Sequence, residues 1–227
     1  PFEEAYGMFL AAEGVLRQEG LDFHSVLRTW IYLRHMDEDY AEFNRARRAF
    51  FKRAGVELRP ASTGIGGFPF AEDHRFTMSF YAAHSPLGVD ARFMTTPSLN
   101  EAHEYGSEFS RGMRIVEANK VSLHVSGTAS LDEDGRTVHR GSFHDQVDRM
   151  LLNVSTLLEK QGASFADVLS AVTYLKNPAD TPRLRRILLD RGIDGFPNAV
   201  VEANVCRPEL LCEMEAVAAL PLRGGVD

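Results

Sequence analysis

The chain carries one helix-and-strand pattern twice, which confines it to folds built from two copies of one supersecondary unit packed as a pseudo-symmetric pair. Residues 8–20, MFLAAEGVLRQEG, run alongside 150–162, MLLNVSTLLEKQG, and Phe23-His24-Ser25-Val26-Leu27 falls on Phe165-Ala166-Asp167-Val168-Leu169 without a gap. Tyr32-Leu33-Arg34 then meets Tyr174-Leu175-Lys176 at the same offset of 142 (174 against 32). Each copy closes on a further match, FTMSFYAAH (76–84) against CEMEAVAAL (212–220), in which Thr77 stands where the second copy has Glu213. Copies that agree in their apolar frame and differ at one acid suggest that one kept a chemical task and the other its packing.

Apolar spacing of three and four predicts a helix over 3–19, stopped at Gly20, and the β-branched and aromatic residues of 24–34 predict a strand. A helix from Asp37 to Lys52, acidic in its first turn and basic in its last, and strands at 57–66 and 74–83 complete a first unit, 1–84. A polar, proline-containing connecting loop, 85–108, leads to a second unit, 109–227. That unit opens on a hairpin turning near Ala118-Asn119-Lys120, with a short strand near Thr137-Val138 after a turn at Asp134-Gly135. It continues as helix 143–161, strand 165–175, helix 179–191 and strands 198–206 and 210–220. The first unit has no counterpart of the hairpin, so we expect residues upstream of Pro1 in the natural protein and a sheet edge or partner contact supplied by them.

Of the 227 residues, 44% are apolar and 25% charged, ordinary for a globular domain with ample core. No apolar run reaches the ~20 residues of a membrane span, and PFEEAYGMF lacks the basic and apolar regions of a signal peptide, so a cytoplasmic protein is expected. A net charge of -7 argues against a general nucleic-acid partner. The basic run RARRAFFKR (45–53) reads as a solvated helix face. Cys206 and Cys212 form no CxxC pair and the histidines have no metal-ligand spacing, so no metal is expected. Gly64-Ile65-Gly66, followed by Gly67-Phe68-Pro69 instead of a helix, reads as a strand bending under close packing.

Ser126-Gly127-Thr128-Ala129, Thr173-Tyr174-Leu175-Lys176, Phe196-Pro197 and Glu213-Met214-Glu215-Ala216 resemble the pattern of the Rid (YjgF, endoribonuclease L-PSP-like) superfamily over nearly the whole chain. The tandem arrangement, with Arg59 to Gly66 (RPASTGIG), Phe109-Ser110-Arg111 and Cys206 to Leu211 (CRPELL), looks like the chorismatases, two-domain relatives that remove the enolpyruvyl group of chorismate. The resemblance implies an α/β (α+β) fold of tandem YjgF/chorismate-mutase-like units: mixed sheets, helices packed on one face, and a barrel-like core. It implies a homotrimer or a pseudo-symmetric monomer, with no cofactor. Two departures stand out. Rid imine deaminases resemble one another in an arginine two residues after the proline of the penultimate strand, where Ala199 and Ser62 stand here. The chorismatases carry a further arginine before FSRG, where this chain reads Pro97-Ser98-Leu99-Asn100-Glu101.

In strict alternation Glu213 and Glu215 share one face of their strand. That face is either the solvent side of an edge strand or a functional wall, and uncharged Thr77 and Ser79 at the matching positions favour function for Glu213. A carboxyl in a partly apolar cleft has a raised pKa and donates protons. Glu215 reads as supporting. Arg207 and Arg111 are surface charges or forks for a substrate carboxylate. Ser126, Gly127 and Thr128 end a strand where bare amides meet a carboxylate or where a glycine simply packs. Phe109, Cys206 and Ala129 complete the expected substrate-binding set, Cys206 as a packed side chain that the resemblance has shaping the pocket. His124, on an apolar strand, reads as a satisfied core histidine. The first reading is an enzyme acting on a small carboxylate, with Glu213 as proton donor to chorismate or a similar acid. The others are a Rid-type imine or enamine hydrolase and a non-catalytic ligand-binding protein.

Overall fold

The computed structural model describes residues 1–69, 73–84, 89–99 and 108–222. The first unit consists of α1 (Phe2–Gln18), β1 (Val26–Leu33), α2 (Met36–Ala54), β2 (Ala61–Gly66) and β3 (Phe76–Ala82). The second consists of β4 (Ala91–Phe93), β5 (Gly112–Val116), β6 (Lys120–Ala129), α3 (Phe143–Glu159), β7 (Val168–Leu175), α4 (Thr181–Asp190), β8 (Asn198–Glu202) and β9 (Cys212–Pro221). The strands form a three-stranded sheet, β2-β1-β3, and a six-stranded sheet, β4-β5-β6-β9-β7-β8.

The duplication holds down to single hydrogen bonds. β1 runs parallel to β2 and antiparallel to β3; β7 runs parallel to β8 and antiparallel to β9. Tyr32 faces Thr77 in the first unit and Tyr174 faces Glu213 in the second. A register shift falls between Val26 and Arg28, and again between Val168 and Ser170. The turn before each first strand is capped alike: Asp22 accepts from the amide of His24, and Ser164 from that of Ala166. Each first helix also accepts one amide from the loop before the closing strand, Arg75 N to Glu4 Oε1 at 2.5 Å and Leu211 N to Gln146 Oε1 at 2.8 Å.

Alternation sorts the faces. Ile31 and Leu33 of β1 join Phe9, Phe23, Phe43, Phe50 and Phe51 in a core beneath α1 and α2, with ring centroids as close as 4.9 Å (Phe23–Phe50). Each such fully buried ring contributes about 1.5–3 kcal/mol. Arg28 and Trp30 point the other way, to the second unit. In β9, Cys212, Met214, Ala216 and Ala218 face the core of α3 and α4, while Glu213 and Glu215 face the first unit. Helices therefore cover one face of each sheet, and the remaining faces meet. The first unit's core is shared, since Ala129, Tyr174, Ala203, Val205 and Leu210 belong to it.

Several expectations are corrected. The stretch 85–108 is not all loop: β4 lies in it and pairs with β5, while 85–88 and 100–107 are outside the described residues. The strand expected from 57 begins at Ala61, after Pro60, which has no amide to donate. The strand expected over 198–206 ends at Glu202, and the chain leaves the sheet as a loop. The sheets do not close into a hydrogen-bonded barrel among the described residues. A single parallel bridge, Ala61–Ser110, joins them at one edge. The close packing expected at the glycines is present: a Cβ on Gly66 would lie 3.0 Å from Asn204 Cβ, and one on Gly67 3.1 Å from Tyr32 Cδ1. No helix among the described residues is long and apolar enough to cross a membrane.

Candidate active site

Glu213 lies on β9, between β6 and β7 at the middle of the six-stranded sheet, so the alternative of a solvent-facing edge strand is set aside. Its side chain borders a cavity of about 210 Å³ between the units. Tyr40 and Asn44 of α2 form one wall; Phe109, Arg111, Ala129, Cys206 and Arg207 of the second unit form the other. A smaller void beside it brings in Arg47, Ser62 and Gly64 from the first unit. A larger groove, about 720 Å³, runs outside α3, but the one cation among its described residues is taken up by a groove carboxylate, with Arg191 Nε 3.0 Å from Asp148 Oδ1. The inter-unit cavity is the better candidate because, among the described residues, no cation pairs with its carboxyl as Arg191 does with Asp148. Among the described residues no side chain donates a hydrogen bond to Glu213.

Burial pushes the Glu213 carboxyl up to about 8; nearby Glu215 adds to this, and Arg28 and Arg111 oppose it. The group is 4% exposed and protonated at neutral pH. Its position depends on Gly127. The β6–β9 register shifts between Val125 and Thr128, and such irregularities re-aim neighbouring residues. At this point a Cβ on residue 127 would stand 2.1 Å from Glu213 Oε1, so only glycine leaves room for the carboxyl.

The other expected residues divide into two groups. Phe109, Arg111, Ala129, Cys206 and Arg207 line the cavity with Glu213. Arg111 is 1% exposed, its guanidinium 5.8 Å from the Phe109 ring centre. Arg207 is anchored at the rim, where Nη1 donates to the Gly135 carbonyl at 2.8 Å and to Thr137 Oγ1 at 3.2 Å. Cys206 is held as a thiol, pushed up to about 12 by burial and by Glu213. Ser126, Gly127 and Thr128 instead serve as struts. Ser126 Oγ accepts from Ser62 N and donates to the Ser110 carbonyl; Thr128 Oγ1 donates to the Ser126 carbonyl. Of the two readings of Gly127, the bare amide is set aside, since its N–H donates to Thr63 Oγ1 at 3.0 Å, and the packing glycine holds.

Besides Tyr40 and Asn44 of the cavity wall, the sequence reading misses Arg28, Trp30 and Arg47. Arg28 Nη2 donates to Glu215 Oε2 at 2.8 Å and to Thr63 Oγ1 at 2.5 Å, and Trp30 Nε1 donates to Glu215 Oε1 at 3.0 Å. Burial lowers the pKa of Arg28, against the pull of Glu215. Arg47 corrects the reading of 45–53 as a solvated face: it is 4% exposed, stacked near Phe43 and Phe109, with Nη2 bonded to Asn44 Oδ1. Its signal was there, since Tyr40, Phe43, Asn44 and Arg47 follow the three-and-four spacing of one helix face. His124 is also corrected. It stacks on Tyr81 with Nδ1 buried and unpartnered, and burial depresses its pKa to about 4. Among the described residues no group of three or more His, Cys, Asp or Glu is placed to hold a metal ion.

Comparison with known proteins fits this architecture. The family model for endoribonuclease L-PSP matches residues 104–220. A chorismatase of Streptomyces rapamycinicus is 28% identical over 226 residues, covering 88% of this chain and 65% of its own length. A 3-hydroxybenzoate synthase of Streptomyces hygroscopicus is 25% identical, with 88% and 65% covered. The 3-aminoacrylate deaminase RutC of Acinetobacter baylyi is 28% identical over 106 residues, 45% of this chain and 84% of its own. A chorismatase crystal structure superposes with a TM-score of 0.78 over 94% of this chain and 69% of that one, at 24% identity, and so shares the fold. The chain spans 65% of the length of the chorismatase and of the 3-hydroxybenzoate synthase that it matches. With the family model matched over more than half of its residues, the chain belongs to the endoribonuclease L-PSP family of the Rid superfamily.

Proposed function

We propose that the protein is a chorismatase-like enzyme that releases the enolpyruvyl group of chorismate, or of a closely similar acid, as pyruvate. The carrying observation is a single protonated carboxyl, Glu213, facing a cavity lined by arginines and an aromatic ring at the joint between the units. The whole-chain likeness to chorismatases supports the substrate class.

Glu213 gives its proton to the methylene carbon of the enol ether, and the adjacent carbon becomes oxocarbenium-like. Water adds there and returns a proton to the Glu213 carboxylate. The hemiketal then breaks its bond to the ring oxygen, which takes up a proton as pyruvate leaves. Arg111 and Arg207 hold substrate carboxylates, and Phe109 and Cys206 shape the wall against which the enol lies. The chemistry needs only a positioned acid and exclusion of bulk water.

The test is incubation of wild type and Glu213→Gln with chorismate, following pyruvate and ring products by mass spectrometry. Wild type should release pyruvate and the variant about 10²–10⁴-fold less, the usual contribution of a general acid. No pyruvate from folded wild type overturns the proposal. The likeness of the second unit to 3-aminoacrylate deaminase favours one other reading, hydrolysis of an imine or enamine with Glu213 orienting water. Turnover of such imines without turnover of chorismate would select it.

A further inference from the structure

Glu215 sits two residues from Glu213 on the same face of β9, roughly 6.6 Å along the strand, and it is tied down by groups that come only from the first unit. Arg28 Nη2 and Trp30 Nε1 each donate to one of its two oxygens, and both donors lie on β1. Arg28 is 1% exposed, and its Nε and Nη1 have no partner, so Glu215 is its counter-charge. The guanidinium also stacks over the Trp30 ring at 4.7 Å, which fixes both donors together. In the first unit the residue matching Glu215 is Ser79, so this anion belongs to the second unit alone.

We infer that Glu215 is a positioning residue whose fixed negative charge, clamped by Arg28 and Trp30 of the other unit, keeps Glu213 in its proton-donating form. Two carboxylates this close on one buried face disfavour a second ionisation. The inference rests on the proposed role of Glu213. Other groups also face Glu213: Tyr174 across the strand pair, Arg28 from β1, Arg111 beside β5, Cys206 and Arg207 from the loop before β9, and Tyr40 and Arg47 from α2. The cations among them favour ionisation, so losing Glu215 leaves burial alone to oppose their pull.

The test is the pH dependence of kcat/KM on chorismate for wild type, Glu215→Gln and Glu215→Asp, with the Glu213 carboxyl followed by ¹³C NMR in glutamate-labelled protein and assigned by its loss in Glu213→Gln. Wild-type activity should fall as pH rises through about 8. Glu215→Gln should move that limb and the carboxyl titration down by about one pH unit or more, with activity retained at low pH. Glu215→Asp keeps the charge and should hold the limb near its wild-type place. Should Glu215→Gln not fold with Arg28 unpaired, the double variant Arg28→Met/Glu215→Gln removes both charges. It should shift the titration the same way by less, since Glu215 outweighs Arg28 at Glu213. An unmoved carboxyl titration in the folded single or double variant overturns the inference. Because NMR needs no turnover, a wild type inert toward chorismate whose carboxyl still shifts would overturn the function and leave the inference standing.

Discussion

In the first unit Thr77 faces Tyr32 across a strand pair, and in the second Glu213 faces Tyr174 across its equivalent, yet the surroundings of the two positions differ. β9 is flanked by β6, whose Gly127 opens space for the carboxyl; β3 has only β1 beside it among the described residues. The helix after the first strand differs too, 19 residues for α2 against 10 for α4, and it is α2 that carries Tyr40, Asn44 and Arg47 over the cavity. The lesson is that two units alike in strand pairing need not be alike in chemistry, since the acid of the proposed site stands in one of them only. The second unit supplies the acid, and the first supplies a lid of helix and the donors that hold Glu215.

The sharpest way to break this contrast is to exchange the two positions. Glu213→Thr should cut pyruvate release by about 10²–10⁴-fold, and adding Thr77→Glu should restore none of it; recovery in that double variant would mean that the first unit holds a latent site. Arg28→Met should cost about 3–5 kcal/mol in urea unfolding, because Glu215 is left buried without its partner. At the matching position of the second unit, exposed Ser170→Ala should stay within about 0.5 kcal/mol. Gly127→Ala should lower kcat by roughly 100-fold, the effect of displacing a reacting group by an ångström, with the circular dichroism spectrum unchanged. A variant with wild-type rate would show that the carboxyl has another place to go. The smallest effects concern what the units share. Gln146→Ala should cost about 1–3 kcal/mol by orphaning the Leu211 amide, and Glu4→Ala less, since Glu4 is partly exposed. Equal costs would mean that the two struts are interchangeable.

Much of this architecture is written locally. The offset between Tyr32 and Tyr174 marks the repeat, and period-two alternation puts Glu213 and Glu215 on one face. The absence of an acid at Thr77 singles out Glu213. What escaped depends on distance or on backbone detail. Arg28 and Glu215 are 187 positions apart, and no spacing rule joins them. Arg47 is hidden because charge runs are normally solvated, and only the packing of Phe109 against α2 reveals it as buried. The register shift after Val125 decides between bare amides and a packing glycine, since it accompanies the bond from the Gly127 amide to Thr63. His124 reads as satisfied because core histidines usually are, and its orphaned nitrogen shows only once Tyr81 covers the ring.

The core beneath α1 and α2 is completed by Ala129, Tyr174, Val205 and Leu210 from the other unit. A hydrophobic cluster that draws on both halves couples their melting: neither half can open without exposing apolar surface on its neighbour, so denaturation should proceed as one cooperative transition. The cavity at the seam thus inherits the stability of the entire molecule. A fragment cut between the halves would lose the cavity and part of its own interior together.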